Sequence, residues 1–377
     1  MSSASGPIAD FQVEPIRPLN RAAETTCQKR LNSLTKPPGS LGMLEQLALR
    51  LSAIRGFPPR VDKAHVLVFA ADHGVTEEGV SAFPKAVTAQ MVANFINGGA
   101  AINVFARQHQ AKVSVIDVGV DGDVGQLEGL VQAKVRRGTR NLAREDAMTQ
   151  TEVLQAIAAG RAQAARAIFE GAEILCLGDM GIGNTTSAAA LVSALLPLDP
   201  ALSVGRGTGV DDAGLARKLS VVKMALERAG VSGPFEAAEA TPENSANAPR
   251  QMAGDPHRTI ATLAALGGLE IAALCGVCLS AAARRTPVLV DGYISSSAAL
   301  ASIRIEPQVL PYLFFAHRSA EAGHTHLLSG VGASPLLQCE MRLGEGTGAV
   351  LALPLLRAAC AMLTEMATFE SAKVSEK

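Results

Sequence analysis

The sequence has no tryptophan, and aromatic residues make up only 3% of its 377 positions. Proteins that hold single-stranded nucleic acid stack bases on aromatic rings, so that class is disfavoured. Charge of neither sign is in excess. With 34 basic against 35 acidic residues, no net field draws the chain to nucleic acid or to an anionic membrane. No uninterrupted apolar run approaches the roughly 20 residues of a bilayer span. The best candidate, Ile271 to Ala283, is short and bracketed by Glu270 and Arg284. The start, MSSASGPIADFQVEP, lacks the basic region and apolar stretch of a secretory signal. Six cysteines in a chain this long are no disulfide framework. Cys275 and Cys278 form a C-x-x-C inside IAALCGVCLSAAA, which reads as a buried helix without the second ligand pair a zinc site needs. Together these absences predict a cytoplasmic protein with no nucleic-acid and no membrane partner.

What is present is the material of a packed α/β protein: 48% hydrophobic residues, 18% charged residues and 35 glycines for turns. After the rigid turn Lys36-Pro37-Pro38-Gly39, residues Leu41, Leu44, Leu47, Leu51 and Ile54 fall on one helical stripe. The period then changes. HVLVFAA (65–71), KVSVIDV (112–118), EILCL (173–177) and PVLV (287–290) are short apolar runs separated by helical stretches. That alternation predicts a parallel sheet covered on both faces, with any ligand at the carboxyl ends of its strands. Residues 231–256 lack periodicity and read as an exposed loop. A last apolar helix is expected from Ala349 to Leu363.

Polar residues follow those runs where packing does not call for them. ADHGV continues the first, GDMGIGNTT (178–186) the third and Asp291-Gly292-Tyr293 the fourth. In GDMGIGNTT, Gly181 and Gly183 let a backbone approach a ligand, and Asn184, Thr185 and Thr186 offer donors at a helix start, a combination suited to a phosphate. An ordinary capped strand-to-helix turn fits the same residues. GRGTG (205–209) gains interest from Lys218 downstream, which can bring a cation to an anion or simply lie in solvent. In MRLGEGTG (341–348), Glu345 stands between two glycines just before an apolar helix. It reads as a general base of raised pKa or as an acidic residue favoured near a helix N-terminus. His73 follows a strand end. His317, His324 and His326 lie close together in FFAHRSAEAGHTH but lack a carboxylate at a recognisable metal-ligand spacing.

KPPGSLGMLEQLA (36–48), ADHGV (71–75), GDMGIGNTT (178–186), PVLVDGYISSSAAL (287–300), HRSAE (317–321) and MRLGEGTGA (341–349) occur in this order along nearly the whole chain. This set resembles the nicotinate-nucleotide–dimethylbenzimidazole phosphoribosyltransferase family. The resemblance implies a Rossmann-like parallel sheet flanked by helices over 61–345, and a small helical domain of 1–60 with 346–377. It implies a homodimer, no metal and no cofactor. The implied reaction transfers the phosphoribosyl group of nicotinate mononucleotide to 5,6-dimethylbenzimidazole in cobalamin lower-ligand synthesis. By position, Glu345 is the implied base, assisted by Asp179. Gly181, Gly183, Asn184, Thr185, Gly205, Gly207 and Lys218 are implied to hold phosphate and ribose, and Phe83, Met91, Arg342 and Leu343 the base. Two positions depart from the family pattern. Asp179 stands where Glu is usual, and Phe83 and Met91 stand where some members have Ser and Gln. The second change predicts a more apolar pocket that prefers dimethylbenzimidazole to adenine.

Overall fold

The structure, a computed structural model, describes residues 11–125, 127–231 and 254–375. Most of the 231–256 segment and the first ten residues therefore lie outside the described part. Six strands form one all-parallel sheet: β1 (Ala64–Ala71), β2 (Lys112–Gly119), β3 (Leu130–Gln132), β4 (Ile174–Met180), β5 (Val288–Val290) and β6 (Leu313–Phe315). The spatial order is β3-β2-β1-β4-β5-β6. The order reverses between β1 and β4, and in sheets of this kind the ligand crevice opens outside the carboxyl ends at that reversal.

Each sequence run sits where its composition demands. β1, AHVLVFAA, is buried along its whole length because helices cover both faces, so the run is continuous rather than alternating. Helices α1 (Arg21–Ser33) and α2 (Met43–Arg55) precede the sheet, and α3 (Val87–Ile96) and α4 (Ala101–Gln108) join β1 to β2. α5 (Gln150–Phe169) leads into β4, and α6 (Asn184–Leu195), α7 (Pro200–Ser203) and α8 (Asp212–Arg228) follow it. α9 (Pro256–Leu266) and α10 (Leu269–Ala283) precede β5, and α11 (Tyr293–Ile305) and α12 (Ala322–Gly330) flank β6. The chain closes with α13 (Thr347–Glu365) and the short α14 (Phe369–Ala372).

The C-x-x-C reading holds: Cys275 and Cys278 are unpaired and buried in α10. Burial pushes both thiols up, Cys278 to about 12, which leaves them unreactive. The membrane expectation needs one correction. α13, not Ile271 to Ala283, is the longest apolar stretch, and by length and composition it could cross a membrane. It contains Pro354 and Arg357 and lays its inner face on β4, β5, α2 and α4, so it packs as a core helix of this fold.

The KPPGSLG turn is held from below. Lys36 pairs with Glu45 at 2.9 Å with both side chains nearly buried, and Glu45 also accepts the Leu41 amide at 3.0 Å. One turn on, the half-buried Arg50 donates to the carbonyls of Pro311 (2.7 Å) and Leu310 (2.9 Å) and stacks on Phe314 at 4.1 Å. α2 is thereby tied to β6, at the far edge of the sheet.

α5 and α10 cross at glycines. A Cβ on Gly160 would lie 1.8 Å from the Ala273 carbonyl oxygen, and one on Gly276 would lie 2.1 Å from that of Ile157. Backbone cannot yield as a side chain can. Gly276→Ala is therefore expected to destabilise the fold by at least about 1–3 kcal/mol, the usual cost of overpacking. Denaturant unfolding measures it, and an unchanged midpoint would contradict this packing.

Candidate active site

β4 ends in Gly178-Asp179-Met180, and the chain turns through Gly181-Ile182-Gly183 into α6. Gly181 has no room for a side chain, since its Cβ would lie 2.4 Å from the Ala71 carbonyl oxygen at the end of β1. Gly183 takes φ +97, opens α6 and brings no side-chain cap to it. No side chain caps the first turn of α6, which borders the cleft; its Asn184 and Thr186 amides donate to the Gly181 and Gly183 carbonyls at 3.2 and 3.1 Å, which leaves the helix N-terminus itself as the feature suited to an anion. Thr185 stands in that turn and receives a 2.6 Å hydrogen bond from Lys218 Nζ on α8. Lys218 also donates to the Gly205 carbonyl at 3.1 Å. It is 1% exposed, so the reading of Lys218 as a solvated cation is overturned. Burial lowers its pKa to about 8, and the charge of Glu321 opposes that shift.

Glu321 was visible in HRSAE but given no role of its own. It lines the cleft, is nearly buried, and its Oε2 has no hydrogen-bond partner. Its carboxylate occupies the space over Gly205, where a Cβ would come within 2.1 Å of Oε2. Gly207 is equally constrained, by Thr185 Oγ1 and Lys218 Nζ.

Opposite this corner lies the MRLGEGTG turn. Gly344, Glu345 and Gly346 have φ of +86, +65 and +90, three successive left-handed residues. Glycine adopts that conformation freely; Glu does not, and a non-glycine residue held there costs about 1–3 kcal/mol. The turn lies directly on β4. The Glu345 amide donates to the Asp179 carbonyl at 3.2 Å, and a Cβ on Gly178 would meet the Glu345 carbonyl oxygen at 2.6 Å. The Glu345 side chain is buried and accepts one bond, from the Ile102 amide at the start of α4, 3.2 Å away. Burial raises its pKa, and that single bond offsets only part of the rise.

Three more carboxylates are buried nearby. Asp179 accepts from Asn184 Nδ2 at 3.2 Å, and its pKa is driven far up by burial and by the charges of Asp291, Glu270 and Glu345. Asp291, at the end of β5, accepts the amides of Gly346 (3.3 Å) and Ala349 (2.9 Å), yet burial still lifts it to about 7. Glu270 of α10 meets His73 at 2.7 Å, both fully buried. His73, read from the sequence as a strand-end residue, is therefore beneath the site, with Gly181 and Gly268 packed on its ring and Gly183 on its Cβ.

Among the cleft-lining residues are Asp179, Gly181, Asn184, Thr185, Gly207, Arg342 and Leu343, with Lys218 in the adjoining recess. Arg342 donates to the Gly207 carbonyl and so bridges the two glycine turns. Leu343 is 59% exposed, an apolar side chain at the mouth. Phe83 and Met91 do not line this cleft. Phe83 is 49% exposed, and Met91 on α3 packs partly against the core. Of the three histidines, His317 and His324 lie edge to face with ring centroids 6.3 Å apart; His324 is buried, hydrogen-bonded to Ser296 and to the Ser319 amide, with its pKa lowered to about 3 by burial. His317 faces Asp291 at 3.8 Å. Among the described residues, no group of three or more His, Cys, Asp and Glu is arranged to hold a metal ion. A roomier cavity, about 510 Å³, lies along α9 and reaches none of these groups.

The order of strands and the anion-suited corner at the reversal define a nucleotide-handling α/β protein. A family model described as phosphoribosyltransferase matches residues 16–374. A protein of Chromobacterium violaceum named nicotinate-nucleotide–dimethylbenzimidazole phosphoribosyltransferase is 49% identical over 362 residues, 96% of this chain and 98% of that protein. One of the same name from Chloroflexus aurantiacus is 46% identical over 366 residues, 97% and 98% of the two chains. The crystal structure of CobT from Thermus thermophilus superimposes with a TM-score of 0.85 at 46% identity, covering 94% of this chain and 100% of that one. The chain belongs to the nicotinate-nucleotide–dimethylbenzimidazole phosphoribosyltransferase family.

The Lys218 recess generates a pH dependence. A cation lost near pH 8 binds a phosphate below that pH and not above it, so affinity for a phosphorylated ligand is expected to fall as pH rises through about 8. Lys218→Ala is expected to cost about 1.5–3 kcal/mol of that affinity, the worth of a charge-assisted hydrogen bond, and to flatten the pH curve. Calorimetric titration with nicotinate mononucleotide and with its dephosphorylated riboside checks both. Equal losses for the two ligands would place Lys218 outside the phosphate site.

Proposed function

We propose that the protein transfers the 5-phosphoribosyl group of nicotinate mononucleotide to 5,6-dimethylbenzimidazole, giving α-ribazole 5′-phosphate and free nicotinate. The observation that carries this reading is the Glu345 turn: a buried carboxylate of raised pKa, held in a left-handed conformation against β4, directly after Arg342, Leu343 and Gly344 of the cleft lining. Membership of the family supports it.

The chemistry asks little else of the protein. A benzimidazole nitrogen attacks the anomeric carbon as the bond to nicotinate breaks, with inversion from β to α. The leaving pyridinium takes the bonding electron pair and departs neutral at nitrogen, so it needs no strong acid. The nucleophile must shed its N–H proton, and Glu345 Oε accepts it. Asp179, whose carboxyl is pushed toward the protonated form, is placed to donate a hydrogen bond within the cleft. Lys218, Thr185 and the glycine turns at 181–183 and 205–207 hold the phosphate and ribose, with Asn184 beside them. Arg342 and Leu343 flank the ring-binding mouth, and Phe83 and Met91, which lie outside the cleft, are no part of the ring site. The rest is positioning of two flat rings on opposite sides of the sugar. We read the chain as a cytoplasmic homodimer divided into 61–345 and a small helical part of 1–60 with 346–377. The packing of α1 and α2 with α13 supports that division.

Nicotinate release with and without dimethylbenzimidazole tests the reading. Release is expected only when the aromatic base is present. No release at all would leave a binding protein, and release dependent on phosphate instead would make it a phosphorylase. Glu345→Gln keeps the side-chain size but cannot take the proton. Its turnover is expected to fall by about 10² or more, with nucleotide binding little changed. Near wild-type turnover of that variant at neutral pH would rule Glu345 out as the base.

A further inference from the structure

Asp291 is far from Glu345 in the sequence and on a different strand, yet its side chain holds the Glu345 turn by two hydrogen bonds. It follows β5 directly and is fully buried. Oδ2 takes the Gly346 amide at 3.3 Å and Oδ1 the Ala349 amide at 2.9 Å, and the Gly348 amide between them also favours the ionised carboxylate. These belong to the residue after Glu345 and to the first turn of α13. Gly346 opens that helix and has no side chain to cap it. The capping carboxylate is therefore supplied by β5.

The surroundings are built to admit it. A Cβ on Gly348 would lie 2.9 Å from Asp291 Oδ1 and 2.1 Å from the His317 ring. A Cβ on Gly346 would press on Val66 and on the Leu177 carbonyl. The glycines of GEGTG thus do two things. They permit the left-handed path on either side of Glu345, and they let the turn settle onto β1, β4 and the Asp291 carboxylate. The cost is a carboxylate buried beside Asp179 and Glu345, groups of the same charge. A simple helix cap could be Ser or Asn and would avoid that repulsion.

We infer that Asp291 is a positioning residue for the transfer reaction: by holding the amides of Gly346 and Ala349 it fixes the left-handed turn that aims the Glu345 carboxylate at the nucleophile. It touches no substrate. Its whole effect on rate passes through Glu345. The inference rests on the reading of Glu345 as the base, which the wild-type and Glu345→Gln rates test on their own.

Asp291→Asn keeps shape and burial but has one oxygen. It can still accept the Ala349 amide, and its NH₂ then confronts the Gly346 N–H, donor against donor. Displacing a catalytic group by about 1 Å costs about 10² in rate, so kcat is expected to fall by that order. KM for nicotinate mononucleotide is expected to stay within about twofold, because no phosphate or ribose contact is on this turn. The discriminating step is a double-mutant cycle. In the Glu345→Gln background, Asp291→Asn is expected to change kcat by no more than about threefold, since the group it positions is already gone. Losses that multiply in the double variant would show that Asp291 acts independently of Glu345 and overturn the inference, as would an unchanged kcat in the single variant. Amide hydrogen exchange supplies a readout apart from activity. Gly346 and Ala349 should lose protection in Asp291→Asn while the β1 amides keep theirs; protection lost throughout β1 would mean a general structural role. If the variant does not fold, exchange in the wild type decides. Gly346 and Ala349 protected well beyond the exposed Leu343 supports the clamp, and equal exchange at all three refutes it.

Discussion

Four carboxylates, Asp179, Glu270, Asp291 and Glu345, are buried near one another at the carboxyl ends of the strands, where the strand order reverses. Burying one charge is costly, and burying several of one sign compounds the cost unless each is paired, hydrogen-bonded or neutralised. The local architecture follows from how each demand is met. Glu270 is answered by His73, and that pair forms the floor on which the glycines of GDMGIG and Gly268 pack. Asp291 is answered by the free amides at the start of α13. Asp179 has one amide side chain, and Glu345 one backbone N–H.

That unequal treatment sets Asp179, Asp291 and Glu345 apart from solvated carboxylates. A well-solvated set would all ionise near pH 4, with no acid and base to distinguish. Here burial and the neighbouring charges raise Asp179 well above the ordinary carboxylate range, burial lifts Asp291 to about 7, and burial raises Glu345, which its one hydrogen bond opposes. Carboxyl groups whose pKa values are pushed apart can act as donor and acceptor in one site at one pH. The glycines enforce the separation, because side chains at 178, 181, 344 or 346 would pry the turns apart and admit water.

Much of this was legible in the sequence. β1, β2, β4 and β5 announce themselves as continuous apolar runs, since a parallel strand covered on both faces has no polar side to show. β3 and β6 are short edge strands; β5 is equally short but shows as PVLV before the Asp-Gly turn, whereas β3 ends in Gln132 and β6 is entered from a 3-10 turn over Pro307–Tyr312. GDMGIGNTT and GEGTG stood out because packing alone does not ask for their residues. Lys218 was a candidate beside GRGTG, but its burial was not legible, because its hydrogen-bond partners Thr185 and Gly205 come from other segments of chain. Asp291, Glu270 and Glu321 were missed as site residues for the same reason. The partner of Glu270 lies 197 residues away, and those of Asp291 lie 55 and 58 residues away, so no local pattern reveals them.

The central claim is that this cluster keeps its carboxyls in different protonation states near neutral pH. Infrared difference spectroscopy tests it directly, comparing the wild type with Asp179→Asn at pH 7. The account predicts a protonated carboxyl band in the wild type that disappears in the variant. A wild-type spectrum with every carboxylate ionised at that pH, and no band lost on substitution, would contradict it.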